Sequence, residues 1–239
     1  MNYLKQVNQI IKFSQLEKIL EILSINKKEV YFIGGATRSI LSDTFDNKDI
    51  DLVIPNLKDE TIEKISNKFN SKYYSGYRSL AITDNNFEYQ INSFRKDIHP
   101  TGRHTKVAKV LTLEEDSKRR DFTFNSIYIN LLGEVFDLYD GISHFKNSYL
   151  KFIFDPIEQI QKDYLRAIRF IRFLSLFEDT KTNNTDLDAI ILLSKNITEF
   201  VKENKISSEL KKINTMPYPK NTISFLNRNK ELNKFLDYL

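Results

Sequence analysis

A glycine pair between two apolar strands is the feature that most restricts how this chain of 239 residues can fold. In the segment Val30–Pro55, VYFIGGATRSILSDTFDNKDIDLVIP, an apolar strand runs into Gly34 and Gly35. A short helix follows, and a second apolar strand ends at Pro55. The segment therefore predicts a domain that mixes strands and helices.

The second strand carries two carboxylates where apolar residues would otherwise be expected. Asp49 and Asp51 are two positions apart, so strand alternation places both on one side. Mg²⁺ typically binds one or two carboxylates plus substrate phosphates, so the pair could hold this ion. Alternatively, the two residues are surface aspartates on an exposed edge strand. Backbone N–H groups at Gly34 and Gly35 could approach a phosphate closely. Together, the two features predict a site for a metal and a nucleoside triphosphate.

Composition excludes several classes of protein. The chain has no cysteine, which rules out disulfides, zinc-thiolate sites and cysteine nucleophiles. The N-terminal residues do not resemble a secretory or organellar leader, and no segment is apolar enough to span a membrane. With 41% apolar residues the chain can form a core. We expect a soluble, cytoplasmic protein.

Periodicity predicts two domains with a boundary near Asn147: a strand-and-helix domain at 1–146 and an all-helical domain at 147–239. In the first, helices are predicted at residues 16–23, 37–43 and 62–69, and strands at 29–33, 49–54, 78–83 and 87–94. In the second, helices are predicted at 157–177, 185–204, 207–213 and 221–239, with the breaker MPYP before the last.

The net charge is only +4, but one stretch of the second domain is clearly basic. Between Lys205 and Lys234 there are seven basic residues and two acidic ones. A solvated helical surface explains such a cluster, unless an independent feature indicates nucleic acid. The stretch is therefore a conditional candidate for phosphate contacts.

Four motifs, two of them in the segment Val30–Pro55, give the chain a family resemblance. GGATRSILSD and KDIDLVI resemble the nucleotide-transfer signature of the polymerase-β superfamily. KRRDFTFNSIYI and DYLRAIRFIRF are similar to motifs of the class II tRNA nucleotidyltransferases and bacterial poly(A) polymerases. The resemblance runs from about Val30 to Phe173. It implies an α+β fold: a polymerase-β-like head with a mixed sheet, followed by an all-α neck.

The resemblance also implies an activity. Class II enzymes add CMP and AMP from CTP and ATP to the 3′ end of tRNA without a nucleic-acid template, and Mg²⁺ supports the transfer. Alternatives are a poly(A) polymerase of the same family, a non-catalytic RNA-binding protein or subunit of a split enzyme, and a transferase acting on a protein or small molecule. The RRDFT and DYLRAIR motifs disfavour the last alternative.

Site residues follow from the same resemblance. Asp49 and Asp51 match the catalytic, metal-binding aspartates. The nucleotide-binding positions are Gly34, Gly35, Arg38, Arg119, Arg120, Asp121, Asn125, Asp163, Arg166 and Arg169. If one helix carries Asp163 and Arg166, these residues share a face and can read the base together. Residues 94–107 match a mobile loop, and the RNA-binding candidates are Arg95, Arg103, Lys205, Lys211 and Lys212.

The chain departs from the family pattern at several of these motifs. Lys162 replaces a glutamate beside Asp163, which puts the choice between C and A in doubt. Gln90 replaces a possible third carboxylate, for which Glu88 could substitute, and Ser39 replaces an aspartate. In the neck motif, Asn204-Lys205 stands in place of Glu-Arg. Family members also continue into body and tail domains, so we expect only a head and most of a neck here.

Overall fold

A computed structural model describes residues 2–45, 48–102 and 105–239 of the chain. These residues divide into two compact units. The first unit consists of Met1–Ile98, Lys106–Arg120 and Phe124–Ile142, and the second of His99–Thr105, Asp121–Thr123 and Ser143–Leu239. The head and neck limits expected near Asn147 stay a prediction.

Seven strands of the first unit form one sheet. They are β1 (Tyr31–Phe32), β2 (Asp49–Ile54), β3 (Asn70–Tyr74), β4 (Ser79–Asp84), β5 (Phe87–Ser93), β8 (Ile127–Asn130) and β9 (Val135–Asp137). Their spatial order is β3-β4-β5-β2-β1-β8-β9. The β2 and β5 strands are parallel and the other pairs are antiparallel, so the sheet is mixed. Two further strands, β6 (Arg95–Ile98) and β7 (Lys106–Lys109), form a separate antiparallel ribbon.

Among the described residues, five α-helices lie within the first unit. They are α1 (Leu4–Phe13), α2 (Glu17–Leu23), α3 (Gly34–Ser42), α4 (Asp59–Ser66) and α5 (Leu113–Ser117), while α6 (Gly141–Lys146) crosses the division between the units. The ring of Phe13 packs edge-on against that of Phe87 at 5.3 Å, and the Tyr89 hydroxyl donates to the carbonyl of Ser14. These contacts place α1 against the face of β5 that carries Phe87 and Tyr89.

The opposite face of the sheet has its own apolar cluster. It consists of Ile33, Val53, Phe94, Val110 and Tyr128, with Tyr31 and Leu113 packed against it. Both faces of β2 therefore bury apolar side chains toward the end of the strand, and only its beginning carries acids.

Helices make up the second unit. They are α7 (Pro156–Lys162), α8 (Leu165–Phe173), α9 (Asn184–Leu192), α10 (Ser194–Phe200), α11 (Glu203–Leu210) and α12 (Pro219–Arg228). Its core includes the rings of Phe122, Phe152 and Phe170, with Phe152 stacked on Phe170 at 5.2 Å. The α+β fold class, with a mixed sheet followed by helices, is confirmed.

Several predicted elements differ from the structure. The helix predicted at 157–177 is two helices, α7 and α8, and the one predicted at 185–204 is divided into α9 and α10. The helix predicted at 221–239 ends at Arg228. The β3 strand was not predicted, and the segment expected to be a loop contains the β6–β7 ribbon. Across the described ranges, no helix combines the length and apolar character needed to cross a membrane.

Candidate active site

The paired aspartates lie on an interior strand of the sheet. On β2, Asp49 is exposed and Asp51 half-buried, whereas Ile50 and Leu52 are buried on the other face. The predicted alternation is confirmed. Because β2 lies between β5 and β1, the alternative of an exposed edge strand with surface aspartates is wrong. The interpretation of these acids as a metal site therefore remains.

The glycine turn lies directly against one of these carboxylates. Gly34 has a φ of +58°, a left-handed conformation that favours glycine. A Cβ atom at this position would lie 3.2 Å from Oδ2 of Asp51, and the N–H of Ile33 donates to the Asp51 carbonyl at 3.1 Å. Since α3 begins at Gly34, its first N–H groups have no partner within the helix. The turn and the acid thus form one local structure.

The neighbouring strand offers no third carboxylate to this pair. In the parallel register, Glu88 lies beside Asp49 and Gln90 beside Asp51, on the same sheet face. The Gln90 amide donates to the hydroxyl of Ser79 at 3.0 Å. Among the described residues, no group of three or more His, Cys, Asp or Glu side chains could hold a metal, so Glu88 does not complete such a set. Two carboxylates beside a glycine turn at the start of a helix are a donor set that fits Mg²⁺.

Arg38 and Asn125, both expected to contact the nucleotide, contact each other. The Arg38 guanidinium donates to the Asn125 side-chain oxygen and lies 5.9 Å from the centre of the Phe124 ring. Arg38 comes one turn after the glycines on α3. Ser39, a departure from the family pattern, is buried on the same helix, where a carboxylate would lose its hydration.

Arg119 and Arg120 converge on a buried acid that the sequence analysis did not single out. Arg119 Nε donates to Oδ1 of Asp116 at 2.9 Å, and Arg120 donates to Oδ2 at 2.8 Å. The Tyr128 hydroxyl donates to the same Oδ2 at 2.8 Å and accepts from Arg120 Nε at 2.6 Å. A third arginine, Arg95, donates its backbone N–H to Asp116 at 3.1 Å. One carboxylate therefore organises three arginines.

The charge of this acid is fixed by its neighbours. Burial opposes ionisation of Asp116, but the positive charges of Arg120 and Arg119 outweigh it and lower the pKa of Asp116 to about 2. Burial and the nearby charge of Arg119 together lower the pKa of Arg95 to about 10. The cluster therefore holds more positive than negative charge at neutral pH, which suits an anionic ligand.

The arginine cluster and the aspartates lie on the same side of the sheet. Strand alternation puts Val53 on the face of β2 that carries Asp49 and Asp51. Val53 packs in one apolar cluster with Tyr128, whose hydroxyl contacts Arg120. The first unit thus combines acids, a glycine turn and arginines above one sheet face.

Asp121 and Arg169 form an ion pair within the second unit. Arg169 Nε donates to Oδ2 of Asp121 at 2.6 Å, and Oδ1 accepts the backbone N–H of Phe122 at 2.9 Å. These two residues were predicted to contact nucleotide from separate motifs. The structure brings them together.

The structure contradicts the single helix predicted to carry both Asp163 and Arg166. The α7 helix ends at Lys162, Asp163 is extended with φ −154° and ψ 104°, and α8 begins at Leu165. The Asp163 carboxylate accepts the N–H of Leu165 at 3.1 Å, and its carbonyl accepts the N–H of Arg166 at 2.9 Å. Asp163 therefore lies just before α8, whose N-cap is Tyr164, and the expected presentation of both side chains on one helix face is wrong.

The side chain of Arg166 is buried and donates to the side-chain oxygen of Gln159, which is also buried. Lys162, the departure that put the choice between C and A in doubt, has its Nζ 3.9 Å from a carboxylate oxygen of Glu158, one turn earlier on α7.

The RNA-binding candidates have different surroundings. Arg95 donates its side chain to the carbonyl of Tyr77 as well as contacting Asp116. Lys205 and Lys211 are exposed, whereas Lys212 donates to Glu209 at 2.9 Å. Arg103 lies outside the described residues.

Asp116 could have been found from its spacing. It precedes Arg119 and Arg120 by three and four residues, which places an acid beside both on a helical turn. Thr112 accepts the N–H of Glu115 and so caps the helix that carries Asp116. The Tyr128 contact, by contrast, depends on sheet packing and has no local sequence signal.

Comparison with known proteins decides the family. The sequence model described as "Poly A polymerase head domain" matches residues 30–151, about half of the chain. The chain belongs to this family. The resemblance to class II tRNA nucleotidyltransferases and bacterial poly(A) polymerases is confirmed.

Relatives of this head-domain family extend the similarity to most of the chain. A CCA-adding enzyme of Lactobacillus delbrueckii is 30% identical over 205 residues, covering 84% of this chain and 51% of its own length. Among solved structures, a Bacillus stearothermophilus CCA-adding enzyme in complex with CTP matches 96% of this chain and 53% of its own, with a TM-score of 0.73 and 22% identity.

A Thermotoga maritima CCA-adding enzyme complexed with tRNA matches 99% of this chain and 55% of its own, with a TM-score of 0.74 and 21% identity. At these identities, the solved structures show that the fold is shared. The chain spans about half the length of the curated relatives it matches.

Proposed function

We propose that this chain adds CMP and AMP, taken from CTP and ATP, to the 3′ end of tRNA without a template. In each step the RNA 3′ hydroxyl attacks the α-phosphorus, the bond to the β-phosphate oxygen breaks, and pyrophosphate leaves. Family membership and the CCA-adding relatives support this reaction. The observation that carries it is the Asp51 carboxylate lying against the Gly34 turn, with Asp49 on the same strand face.

Asp49 and Asp51 would hold Mg²⁺ in this proposal. Two divalent ions in such a site lower the cost of deprotonating the attacking hydroxyl and stabilise the leaving pyrophosphate. The residues themselves supply a fixed pair of oxygens, since an interior strand positions both side chains. Binding energy then serves mainly to orient the hydroxyl in line with the α-phosphorus.

The remaining predicted residues would bind the nucleotide. The N–H groups at Gly34 and Gly35 would receive the triphosphate, and Arg38, oriented by Asn125, would add positive charge. Arg119 and Arg120 would contact phosphates, and Asp121 the sugar. Asp163, just before α8, and Arg166 and Arg169, on α8, would face the base.

Base choice is the least constrained part of this function. The side chain of Arg166 is held by Gln159, and Asp163 precedes α8 rather than sharing a helix face with Arg166. We infer that base selection by this pair requires Asp163 and Arg166 to converge from the helix break, with the side chain of Lys162 turned toward Glu158. Addition restricted to CC or to A is the narrower form of the proposal.

A poly(A) polymerase is the second candidate, because the matching family takes its description from that enzyme. The acceptor separates the two functions. A tRNA nucleotidyltransferase adds one to three nucleotides to tRNA, whereas a poly(A) polymerase extends general RNA with adenylate. A non-catalytic RNA-binding subunit would do neither.

The test incubates the purified protein and Mg²⁺ with tRNAs that end before CCA, after C or after CC, and supplies labelled CTP or ATP separately. We expect incorporation that Asp49→Asn or Asp51→Asn reduces at least about 1,000-fold, since each removes one of two metal-binding carboxylates. Asp59→Asn, an exposed acid on α4, is the matched control and should retain activity. Incorporation that survives both active-site substitutions would refute the assigned site. Absence of incorporation on every acceptor would favour the binding subunit.

A further inference from the structure

The sheet face that carries the paired aspartates stays open as far as the edge strand β3. One row of paired positions runs from Asp49 through Glu88 and Thr83 to Asn70, and all four are exposed. The neighbouring row runs from Asp51 through Gln90 and Ala81 to Lys72, and each of these is exposed or half-buried. Since strands lie about 4.8 Å apart, the rows extend roughly 14 Å from β2. Within the described residues, only β5 and β4 lie between β2 and β3.

The far end of this face combines exposed tyrosines with cations. Tyr74 is 42% exposed, and Lys72 Nζ lies 5.2 Å from the centre of its ring. Tyr77 is 46% exposed, and the guanidinium of Arg95 lies 5.9 Å from its ring. The sequence from residue 70 to residue 83 contains no acid. Charge thus changes sign along the face, from acids at β2 to cations at β3.

We propose that this open face, formed by Gln90, Ala81, Lys72, Tyr74 and Tyr77 and here called the β3 platform, binds the single-stranded 3′ end of an RNA. The terminal hydroxyl lies at Asp49 and Asp51, and the preceding nucleotides run toward β3. The inference rests on the proposed function and adds to it a place for the acceptor strand within the first unit.

Three physical arguments favour RNA as the occupant. Lys72 and Arg95 complement phosphate charge, and exposed tyrosine rings offer stacking surfaces that accept any base. Stacked nucleotides repeat about every 3.4 Å along a strand, so a path of roughly 14 Å accommodates about four of them. A protein strand pairing with β3 would instead use the backbone of this edge, and would be insensitive to side chains on the face.

The experiment measures the KM for a tRNA that lacks CCA and the KM for CTP. It also measures RNA affinity by fluorescence anisotropy between about 50 and 200 mM salt, the range over which phosphate contacts weaken. Tyr74→Ala is expected to raise the RNA KM about ten-fold, while Tyr74→Phe retains it. Lys72→Ala is expected to weaken RNA binding a few-fold and to reduce the salt slope by about 0.7, as for one lost phosphate contact. The KM for CTP and the rate at saturating RNA should not change.

Two control variants match these substitutions. Phe136→Ala removes an exposed aromatic ring, 38% exposed, on the opposite edge strand β9. Lys64→Ala removes an exposed lysine on α4. Both should bind RNA as the unaltered protein does.

The proposal is overturned if Tyr74→Ala and Lys72→Ala leave RNA affinity unchanged, if the controls lose as much, or if the KM for CTP rises instead. Failure of the proposed function is a separate result. A protein that incorporates no nucleotide but loses RNA binding on Tyr74→Ala would contradict the enzyme activity and support the platform.

Discussion

Two buried aspartates, one in each compact unit, have pKa values that are shifted in opposite directions. Asp116 is 0% exposed and Asp186 is 2% exposed. Burial raises the pKa of Asp186 to about 6, whereas the charges of Arg120 and Arg119 outweigh burial at Asp116 and lower its pKa to about 2. The difference lies in the partners, because Asp186 accepts the backbone N–H of Phe152 at 3.2 Å and has no such pair of guanidinium groups among the partners described for it.

The comparison shows that burial of an acid does not by itself mark a functional site. Asp186 lies in the first turn of α9, where its carboxylate joins that helix to Phe152. Asp116 instead fixes Arg119 and Arg120, which we propose to contact the nucleotide. A permanently charged acid can hold arginines in place while leaving the cluster an excess of positive charge.

Among the substitutions that test this comparison, removing the charge of Asp116 should have the largest effect on stability and on nucleotide binding. Asp116→Asn removes the buried carboxylate charge that pairs with Arg119 and Arg120, so we expect the free energy of unfolding to fall by about 3–5 kcal/mol. The KM for CTP and ATP should rise at least about ten-fold, because Arg119 and Arg120 lose their orientation. Urea unfolding and steady-state kinetics measure the two effects.

Asp59→Asn is the control for this substitution, and its effect on stability should stay below about 0.5 kcal/mol. A destabilised Asp116→Asn protein with an unchanged nucleotide KM would reduce Asp116 to a structural role. The folded-state pKa of Asp116 is below that of an unfolded aspartate, so its stabilisation is present above about pH 4 and is lost as pH falls toward 2.

Tyr128 should have a smaller effect of the same kind. Tyr128→Phe removes the hydroxyl that links Asp116 to Arg120, which should cost about 1–2 kcal/mol of stability and raise the nucleotide KM several-fold. Burial raises the pKa of Tyr128, which keeps the hydroxyl protonated as a donor. Urea unfolding and nucleotide kinetics again separate the two quantities.

Tyr89→Phe is a close match for this variant, since Tyr89 is also buried and its hydroxyl donates to the carbonyl of Ser14. It should lose similar stability without changing the nucleotide KM. If Tyr128→Phe behaves in the same way as Tyr89→Phe, the hydroxyl of Tyr128 does not position Arg120 for binding.

The sequence was sufficient wherever local pattern alone determines structure. The period of two predicted the face shared by Asp49 and Asp51, and the glycine pair predicted the turn that proves to contact Asp51. The β3 strand was missed because its sequence, NSKYY, has an exposed polar face and little apolar alternation. Such a strand is specified mainly by pairing with β4.

The helix break at Asp163 was not predictable from local pattern. The apolar period continues through the break, but the N–H of Tyr164 donates to the carbonyl of Gly102, more than sixty residues earlier in the chain. This hydrogen bond, together with the one that the N–H of Leu165 donates to the Asp163 carboxylate, lies where α7 ends and α8 starts. Tertiary contacts therefore decided the geometry of the residues proposed to read the base.

Substitution of Asp186 should have the smallest effect on stability, and it should stabilise the protein rather than destabilise it. Its folded-state pKa of about 6 exceeds that of an unfolded aspartate, so its neutral form is favoured on folding. The resulting stability is fully present below about pH 4 and is lost as pH rises through 6. Asp186→Asn keeps an acceptor for the N–H of Phe152 but cannot ionise. We expect it to be about 1 kcal/mol more stable than the unaltered protein at pH 8 and no more stable at pH 4, as measured by urea unfolding at both values. An advantage that is equal at the two pH values would mean that ionisation of Asp186 is not what separates it from Asp116.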